Sequence, residues 1–484
     1  MNYKMVFYLL GQMLRVEGLL MLLPLACTWI YREDTLTAFL IPIVLLVAIG
    51  TLLTFKMPKK NDIYAKEGFA VVGLSWILLS VFGALPFMIS GAIPHFCDAL
   101  FETVSGFTTT GASILTDIES LPHSILFWRS FTHWIGGMGV LVFTMAVLPK
   151  SNERSVRLMH VMRAEVPGPT VGKLVSRVKE TARILYMIYI ALTLIESALL
   201  LLSGMPLFDA LCNAFGTAGT GGFAIWNDSI AHYHSAYVDG VISVFMLLFS
   251  LNVTLFFLLL MRQFRTVAKN SELRWFLSIV VLATAVIMID TRHLYSGVPQ
   301  TFRFSVFQVL SVISTSGFST ADFNQWPILS RSILVLLMFI GACAGSTGGG
   351  LKVGRIMLLM KTFVREVRLM LHPRSVNVIR TDGKRVDEET VRGTASYLIA
   401  YTFLVAASIL LLAVFDNFDL VTNFTAVSAC INNIGPGLSI VGPAGNYYLF
   451  TDASKLLLSF DMLAGRLELF PILMIFSPST WRNN

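Results

Sequence analysis

The feature that most constrains this chain is a series of apolar runs, each long enough to cross a lipid bilayer. A helix needs about 20 apolar residues to span the hydrocarbon core, and runs of that length recur throughout the sequence. Hydrophobic residues make up 55% of the 484 residues and charged residues 13%, whereas a soluble domain has about 25% charged residues. The surplus apolar surface must face lipid. Because backbone groups in lipid must be bonded within the chain, the sequence predicts an all-α polytopic membrane protein.

Charge and cysteine content narrow the possible functions. The net charge is +7, but the basic residues cluster between the apolar runs, where the positive-inside rule explains them. We therefore expect contact with membrane lipid and no binding of nucleic acid. None of the five cysteines forms a CxxC pair, so we expect them to pack as small apolar residues and to hold no metal.

One arrangement of segments occurs four times along the chain. An apolar run is followed by a shorter segment, a glycine-containing loop and a second apolar run. The short segments, at 94–104, 206–215, 301–313 and 420–431, cannot cross a bilayer, so we predict re-entrant half-helices. The predicted divisions are an N-terminal helix pair over 1–66 and repeats over 67–150, 181–262, 273–362 and 393–484.

This arrangement predicts ten membrane spans. Two precede the first repeat, at 7–30 and 36–55. The repeats contribute 69–90, 127–148, 184–202, 238–261, 275–289, 332–360, 397–415 and 455–476. Basic links at 150–183, 262–269 and 361–392 share one side if each repeat holds two spans. The positive-inside rule then places both termini in the cytoplasm and the glycine loops outside.

The glycine loops are the candidate functional elements. Gly111, Gly221, Gly317 and Gly435 recur at intervals of roughly 100 residues, which indicates one structural unit used four times. Four units around one axis would form a pseudo-fourfold pore within a single chain. The candidate ion-binding residues are Thr109, Thr110, Gly111, Thr220, Gly221, Thr315, Ser316, Gly317, Asn433, Ile434 and Gly435. Those predicted to hold the metal ion itself are Thr110, Gly111, Thr220, Gly221, Ser316, Gly317, Ile434 and Gly435.

Glycine suits such a loop for a physical reason. A carbonyl group that must point at an axis often needs a positive φ, which glycine adopts without steric cost. Rings of carbonyl oxygens can replace the hydration shell of an ion. Each half-helix would also direct the negative end of its dipole toward a cation at the centre. A single loop of this kind is more often a kink or a packing contact, but four in matching positions favour a pore.

A second glycine-rich stretch, 341–352, interrupts the apolar segment 332–360. Glycine is unfavourable within a helix, so we expect a break with mobile backbone; the alternative is a small-residue surface for helix packing. Arg466 is a charge within an apolar span, which is energetically costly and usually faces a cavity or a partner. Its alternative role is a local pair with Glu468 or Asp461.

At these positions the chain resembles the TrkH/TrkG/KtrB superfamily of potassium transporters. The resemblance covers essentially the whole chain and rests on the glycine loops and on the segments 128–130, 134–139 and 432–437. It implies four helix–pore-loop–helix repeats around one central pore, and the two additional N-terminal spans resemble the TrkH/TrkG branch. The implied activity is potassium uptake across the bacterial inner membrane, with potassium as substrate and no bound cofactor.

The resemblance also implies a gate and partners. The gate would be an intramembrane loop below the filter, with Arg466 in the pore as an electrostatic barrier. The candidate gate residues are Gly345, Ser346, Thr347, Gly348, Gly349, Gly350, Lys352 and Arg466. Lys352 has the alternative role of marking the cytoplasmic end of its helix. Further implied features are a homodimer and a cytosolic TrkA-type nucleotide-binding ring that docks on the basic loops 150–183 and 361–392.

Two other classes of function remain open at this point. A sodium- or proton-coupled secondary transporter, or symporter, often uses intramembrane carboxylates, and the candidates here are Glu196, Asp290 and Asp461. A membrane enzyme is disfavoured because the sequence contains no HExxH, GxSxG or P-loop motif. We therefore expect a protein that is not an enzyme.

Overall fold

The computed structural model describes residues 1–56, 58, 65–139, 178–375 and 377–481, and these residues are mostly helical. The helices are α1 (Tyr3–Leu20), α2 (Leu22–Tyr31), α3 (Leu36–Thr54), α4 (Ala65–Gly83), α5 (Leu85–Ile89), α6 (Phe96–Phe107), α7 (His123–Gly137), α8 (Val178–Leu202), α9 (Leu207–Gly219), α10 (Ala236–Phe249), α11 (Val253–Leu260), α12 (Phe264–Ala268), α13 (Ser271–Thr291), α14 (Val298–Ile313), α15 (Ile328–Ile340), α16 (Val353–Leu371), α17 (Glu388–Phe415), α18 (Leu420–Ile431), α19 (Asp452–Arg466), α20 (Phe470–Phe476) and α21 (Pro478–Trp481).

Two short strands follow α16. Strand β1 (Arg380–Thr381) pairs antiparallel with β2 (Lys384–Arg385). Asp382 and Gly383 connect them with φ values of 50° and 77°, as a two-residue hairpin turn of this kind requires. In the part of the chain that the structure describes, these are the only strands, so the prediction of an all-α architecture is confirmed.

The predicted count of ten spans is not reproduced by helix length and composition. Six helical segments of the described residues are long and apolar enough to cross a membrane, or seven if α10 and α11 form one span. Three predicted spans are each divided by a break: 238–261 into α10 and α11, 332–360 into α15 and α16, and 455–476 into α19 and α20. Hydropathy alone does not reveal these breaks because the flanking residues remain apolar. The first part of the predicted span 127–148 lies in α7, whereas its residues 140–148 and residues 150–177 of the basic link lie outside the described residues.

The N-terminal helices pack closely through glycine and expose apolar side chains outward. A Cβ atom added at Gly50 would lie 2.7 Å from the carbonyl oxygen of Gly11, so α1 and α3 approach each other along a surface of small residues. Elsewhere in this region, Trp29 of α2 and Phe55 at the end of α3 are 83% and 79% exposed. Large apolar side chains with this exposure fit a lipid-facing surface.

Four short helices lie inside the molecule. They are α6, α9, α14 and α18, with 12, 13, 16 and 12 residues. At about 1.5 Å of rise per residue, none can span a bilayer of about 30 Å. Their C-terminal halves are buried almost without interruption. They occupy the positions of the short segments predicted from the sequence, and we call them pore helices 1 to 4.

A buried ion pair joins pore helix 1 to α7. Arg129 Nε donates a 2.6 Å hydrogen bond to Glu102 Oε1, and the two side chains are 2% and 0% exposed. Arg129 also donates to the carbonyl oxygen of Ala224, at 2.8 Å, and its guanidinium lies 3.6 Å from the ring centroid of Phe223. A charge buried this deeply is tolerated only when its partners are complete.

We therefore predict that Glu102→Gln lowers the free energy of unfolding by about 3 kcal/mol, because it leaves the guanidinium of Arg129 buried without a counter-charge. Thermal unfolding of the detergent-purified protein measures this effect. The matched control is Glu388→Gln, which removes an Arg365–Glu388 pair with the same 2.6 Å separation but a 53% exposed carboxylate. The control should change stability little, because exposed pairs contribute little. Equal losses for both variants would contradict the role of the buried pair.

Candidate ion-conducting site

The four pore helices end in the same hydrogen-bonded cap. In each, a backbone N–H just beyond the helix donates to the carbonyl oxygen five residues earlier, and all four N–O distances are 2.9 Å. The donor–acceptor pairs are Thr110–Ser105, Gly221–Gly216, Ser316–Ser311 and Ile434–Ala429. This is the bonding pattern of the Schellman motif. Four segments with little sequence identity therefore fold into one local structure.

The backbone after each cap alternates in the sign of φ. The first residue of each loop adopts the left-handed conformation although it is not glycine: Thr109, Thr220, Thr315 and Asn433 have φ values of 56°, 56°, 62° and 54°. Two residues later a glycine has positive φ again: Gly111, Gly222, Gly317 and Gly435, at 79°, 73°, 75° and 92°. Non-glycine residues in this region are uncommon, and such strain clusters at functional sites.

This comparison changes the register predicted for the second loop. Gly222, rather than Gly221, has the conformation of the other three glycines, and Gly221 corresponds to Thr110, Ser316 and Ile434. Position 221 requires glycine for a steric reason and not because of its φ angle. A Cβ atom there would lie 2.5 Å from Nδ1 of His133. The imidazole of His133 therefore occupies the space that a side chain fills in the other loops.

The four loops close into a ring. A Cβ atom added at Gly435 would lie 2.7 Å from the carbonyl oxygen of Thr110, which precedes the corresponding glycine of the first loop. The same relation holds at the other three glycines, where an added Cβ would overlap a carbonyl oxygen of the next loop. The Cβ at Gly111 would overlap the oxygen of Gly221, that at Gly222 the oxygen of Ser316, and that at Gly317 the oxygen of Ile434. Each glycine thus gives the neighbouring carbonyl group room, and the order 1, 2, 3, 4 returns to 1.

A cavity of about 130 Å³ adjoins the ring. All four positive-φ glycines line it, together with Arg129 and residues of the loops that follow. Glu102 braces its wall: Oε2 accepts from the backbone N–H of Ile114 at 3.0 Å, and both carboxylate oxygens accept from the hydroxyl of Ser113. The sequence analysis did not single out Glu102 or Gly222, although Arg129 lies in one of the segments that carry the family resemblance.

Equivalent braces support two other loops. Gln308, seven residues before Thr315 as Glu102 is before Thr109, donates to the carbonyl oxygen of Ala321 at 3.3 Å. Thr425 accepts from the N–H of Leu438 at 2.9 Å. Polar side chains of the pore helices therefore bind backbone groups of the segments that follow the glycine loops. At the third and fourth loops the side chains that do so are not carboxylates.

The rim of the cavity carries negative charge. Asp117 lies between the lining residues Thr116 and Ile118. A hydrogen bond from Ser120 holds the pKa of Asp117 below its usual range, so this carboxylate stays ionised at neutral pH. An acidic entrance raises the local concentration of cations.

The glycine-rich stretch 341–352 lies against the other side of the ring. Thr315 Oγ1 accepts a 2.6 Å hydrogen bond from the N–H of Gly349. A Cβ atom at Gly348 would lie 2.7 Å from the carbonyl oxygen of Ser314, and one at Gly349 would overlap that of Asn432. The stretch therefore forms a loop that contacts the first residues of the third and fourth glycine loops, and we call 341–352 the intramembrane loop after its predicted location.

The intramembrane loop is also bonded to the break between α10 and α11, which are bent by 92°. The N–H of Cys343 donates to the carbonyl oxygen of Ser250 at 3.0 Å, and Val253 donates to Gly345 at 3.1 Å. Thr347 Oγ1 donates to the carbonyl oxygen of Phe249 at 3.1 Å. The sequence analysis predicted a break with mobile backbone here. The structure has the break, and each of the two broken segments supplies hydrogen bonds to the other.

Arg466 joins the intramembrane loop to α7. Its Nη1 donates to the carbonyl oxygen of Thr347 at 2.6 Å, and Nη2 donates to those of Gly136 and Gly137 at 2.5 and 2.8 Å. The two carboxylates that the sequence analysis gave as alternative partners of Arg466 contact other residues instead. Glu468 forms an ion pair with Arg355, and Asp461 accepts from Ser408 at 2.8 Å.

The remaining candidate residues have structural contacts. The buried ammonium group of Lys352 donates to the carbonyl oxygen of Gly348, inside the intramembrane loop. Asp290 accepts from the N–H and hydroxyl of Ser330, at 3.1 and 2.6 Å. Glu196 is fully buried on α8. None of these contacts joins the carboxylates of Asp290 and Asp461 to the ring.

Comparison with known proteins shows what the whole chain is similar to. Residues 35–483 match the TrkH family model, described as "Cation transport protein". The Trk system potassium uptake protein TrkH of Salmonella typhimurium is 36% identical over 491 residues, covering 100% of both chains. TrkG of Escherichia coli K12 is 34% identical over 487 residues, covering 100% of this chain and 99% of TrkG. The crystal structure of the potassium transporter TrkH from Vibrio parahaemolyticus superposes with a TM-score of 0.89 at 32% identity, covering 100% of both chains.

The different roles of the two glycines in the second loop can be tested by double-mutant cycles. We predict that Gly221→Ala destabilises the protein and that His133→Ala partly restores stability, because the imidazole is what an added methyl group would meet. Gly222→Ala should destabilise at least as much, and His133→Ala should not rescue it, since the obstacle is the carbonyl oxygen of Ser316. Thermal unfolding of the parent, the three single variants and the two double variants provides the measurement. Rescue of both glycine variants, or of neither, would contradict the assigned register.

Proposed function

This chain belongs to the TrkH family of cation transport proteins, and we propose that it takes up potassium through a channel-like pore whose selectivity filter is the ring of four loops. The family transports cations and is not one of enzymes, so potassium is here a substrate and not a cofactor. Its homologues include proteins named for potassium uptake by the Trk system. The single observation that carries the proposal is the closed ring in which each glycine makes room for a carbonyl group of the next loop.

The backbone conformation supports a filter made of carbonyl oxygens. Alternation in the sign of φ turns successive carbonyl groups toward the same side, whereas successive carbonyl groups of a regular strand point to opposite sides. Such oxygens can replace the hydration shell of potassium. The four pore helices end at the ring, so their negative dipole ends lie where a dehydrated cation would sit. Non-helical backbone at membrane depth is tolerated where it lines a cavity of this kind.

We propose that the intramembrane loop, with Lys352 and Arg466, closes the pathway below the filter. Two observations support this role. The loop contacts the residues that begin the third and fourth filter loops, and the guanidinium of Arg466 binds the loop at Thr347. To open the pathway, the intramembrane loop must break its hydrogen bonds to the ring and to the α10–α11 break and form new ones.

The location and partners follow from the same family membership. We propose a multi-pass protein of the bacterial inner membrane with both termini in the cytoplasm, assembled as a homodimer and controlled by a TrkA-type nucleotide-binding ring. The described part of the basic link supports a docking surface for such a ring: α16 and the β1–β2 hairpin carry basic side chains. These are Lys361, Arg365, Arg368, Arg380, Lys384 and Arg385. A coupled symporter is the alternative function: Asp290 and Asp461 have structural hydrogen-bond partners, whereas Glu196, fully buried on α8, remains its candidate carboxylate.

We predict that Gly317→Ser lowers the ratio of potassium to sodium permeability, because the added side chain would overlap the carbonyl oxygen of Ile434 and force it away from the axis. Gly111→Ser should lower the ratio in the same way, because its side chain would overlap the carbonyl oxygen of Gly221. Uptake of rubidium and sodium into liposomes measures the ratio. The control is Gly240→Ser, where an added Cβ meets nothing within 4 Å, and it should leave the ratio unchanged.

An unchanged ratio in both filter variants, at equal amounts of folded protein, would reject the filter assignment.

We further predict that Arg466→Ala raises basal flux several-fold, whereas Arg466→Lys changes it little. At about 6 Å and an effective dielectric constant of about 20, two unit charges repel by roughly 3 kcal/mol. Complete removal of such a barrier would increase the rate by about a hundredfold, and relaxation makes the expected change smaller. Alanine also removes the hydrogen bond to Thr347 and so releases the loop. Rubidium uptake by equal amounts of folded protein is the measurement.

A loss of both thermal stability and flux in the alanine variant would instead assign Arg466 a structural role alone.

A further inference from the structure

Three side chains with metal-binding chemistry meet at one surface position, away from the filter and the intramembrane loop. They are His95, Cys97 and Asp452, and one ligand atom from each lies within 4.8 Å of the others. His95 Nε2 is 3.6 Å from Asp452 Oδ2. A nitrogen, a sulfur and a carboxylate oxygen together form a ligand set typical of zinc.

The separations fit a single ion. Ligand atoms about 2.1 Å from a tetrahedral zinc ion lie roughly 3.4 Å from each other, close to the 3.6 Å between His95 and Asp452. Small side-chain rotations would bring Cys97 Sγ to the same centre from within 4.8 Å. Three protein ligands leave a fourth position that water can occupy.

A carboxylate also lies near the second nitrogen of the imidazole. Asp98 Oδ2 lies 3.8 Å from His95 Nδ1, on the ring nitrogen that faces away from Asp452. Its other oxygen, Oδ1, accepts a 2.6 Å hydrogen bond from Lys455, whose side chain is 6% exposed. Metal-binding histidines commonly pair their second nitrogen with a carboxylate in this way, which fixes the ring and increases its basicity.

The ligands come from distant parts of the chain and are open to solvent. His95 and Cys97 lie at the start of pore helix 1, and Asp452 lies in the first turn of α19, whose last residue is Arg466. His95 and Asp452 are 58% and 55% exposed, so an ion can enter without unfolding. The sequence analysis expected no metal at the cysteines and overlooked the histidine two residues before Cys97.

We propose that His95, Cys97 and Asp452 form a zinc site that ties the start of pore helix 1 to the start of α19. A late first-row divalent ion is the occupant that this mixed nitrogen, sulfur and oxygen set selects over magnesium or calcium, which prefer oxygen alone. The site is independent of the proposed potassium filter, since none of its ligands belongs to the ring.

The test is protection of Cys97 from alkylation in the full-length purified protein. Maleimide labelling of individual cysteines is followed by mass spectrometry with and without zinc chloride, and the half-buried Cys27 serves as the internal reference. Zinc should slow the labelling of Cys97 by about tenfold or more, because the bound thiolate is no longer a free nucleophile. Labelling of Cys27 should not change, and EDTA should restore that of Cys97.

His95→Ala and Asp452→Asn should each abolish the protection, whereas His232→Ala should retain it. His232 forms a comparable exposed pair with Asp228, 3.4 Å apart, and therefore controls for the loss of a surface histidine. Thermal unfolding without zinc shows whether each variant is folded. Absence of protection in the parent, or protection that persists in both ligand variants, would overturn the proposal.

Discussion

The constraint on which the rest of the structure depends is that non-helical backbone at membrane depth must find its hydrogen-bond partners within the protein. This chain leaves the helix at four filter loops and at several breaks in its long segments. Those irregular pieces satisfy one another. Thr315 of the filter accepts from the intramembrane loop, the loop bonds to the α10–α11 break, and Asn433 donates from the filter to Met462 of α19, at 2.9 Å. Filter, loop and broken helices therefore form one hydrogen-bonded unit.

Arg466 satisfies part of this hydrogen-bonding requirement and also has a place in the proposed function. Its guanidinium supplies donors to three carbonyl groups that lie outside regular helix hydrogen bonding. Removing such a charge from water is costly unless its hydrogen bonds are complete, and three carbonyl oxygens offset part of that cost. In the proposed mechanism the same positive charge would oppose a cation that leaves the filter. One side chain can thus stabilise the closed loop and contribute to the barrier.

Much of the fold was predictable from the sequence, because long apolar runs and recurring glycines report directly on membrane burial and on backbone conformation. Gly111, Gly317 and Gly435 could be found from spacing alone. In the second loop two consecutive glycines satisfy the same pattern, and only the positive φ of Gly222 and the imidazole beside Gly221 distinguish them. The pair of Glu102 and Arg129 joins residues 27 apart on different helices, and no local pattern reports such a contact. The helix breaks within 238–261 and 455–476 were missed because hydropathy does not register them, whereas the glycine-rich stretch 341–352 was predicted to break its helix.

The central claim is that the ring of four loops binds a dehydrated monovalent cation through its backbone carbonyl groups. Anomalous diffraction from crystals of the protein grown or soaked in rubidium tests it most directly, because rubidium has a size close to that of potassium and a measurable anomalous signal. The account predicts an anomalous peak on the axis of the ring, surrounded by the carbonyl oxygens of Thr110, Gly221, Ser316 and Ile434, and a weaker peak when excess potassium competes. Rubidium bound only at side-chain carboxylates away from the ring would contradict it.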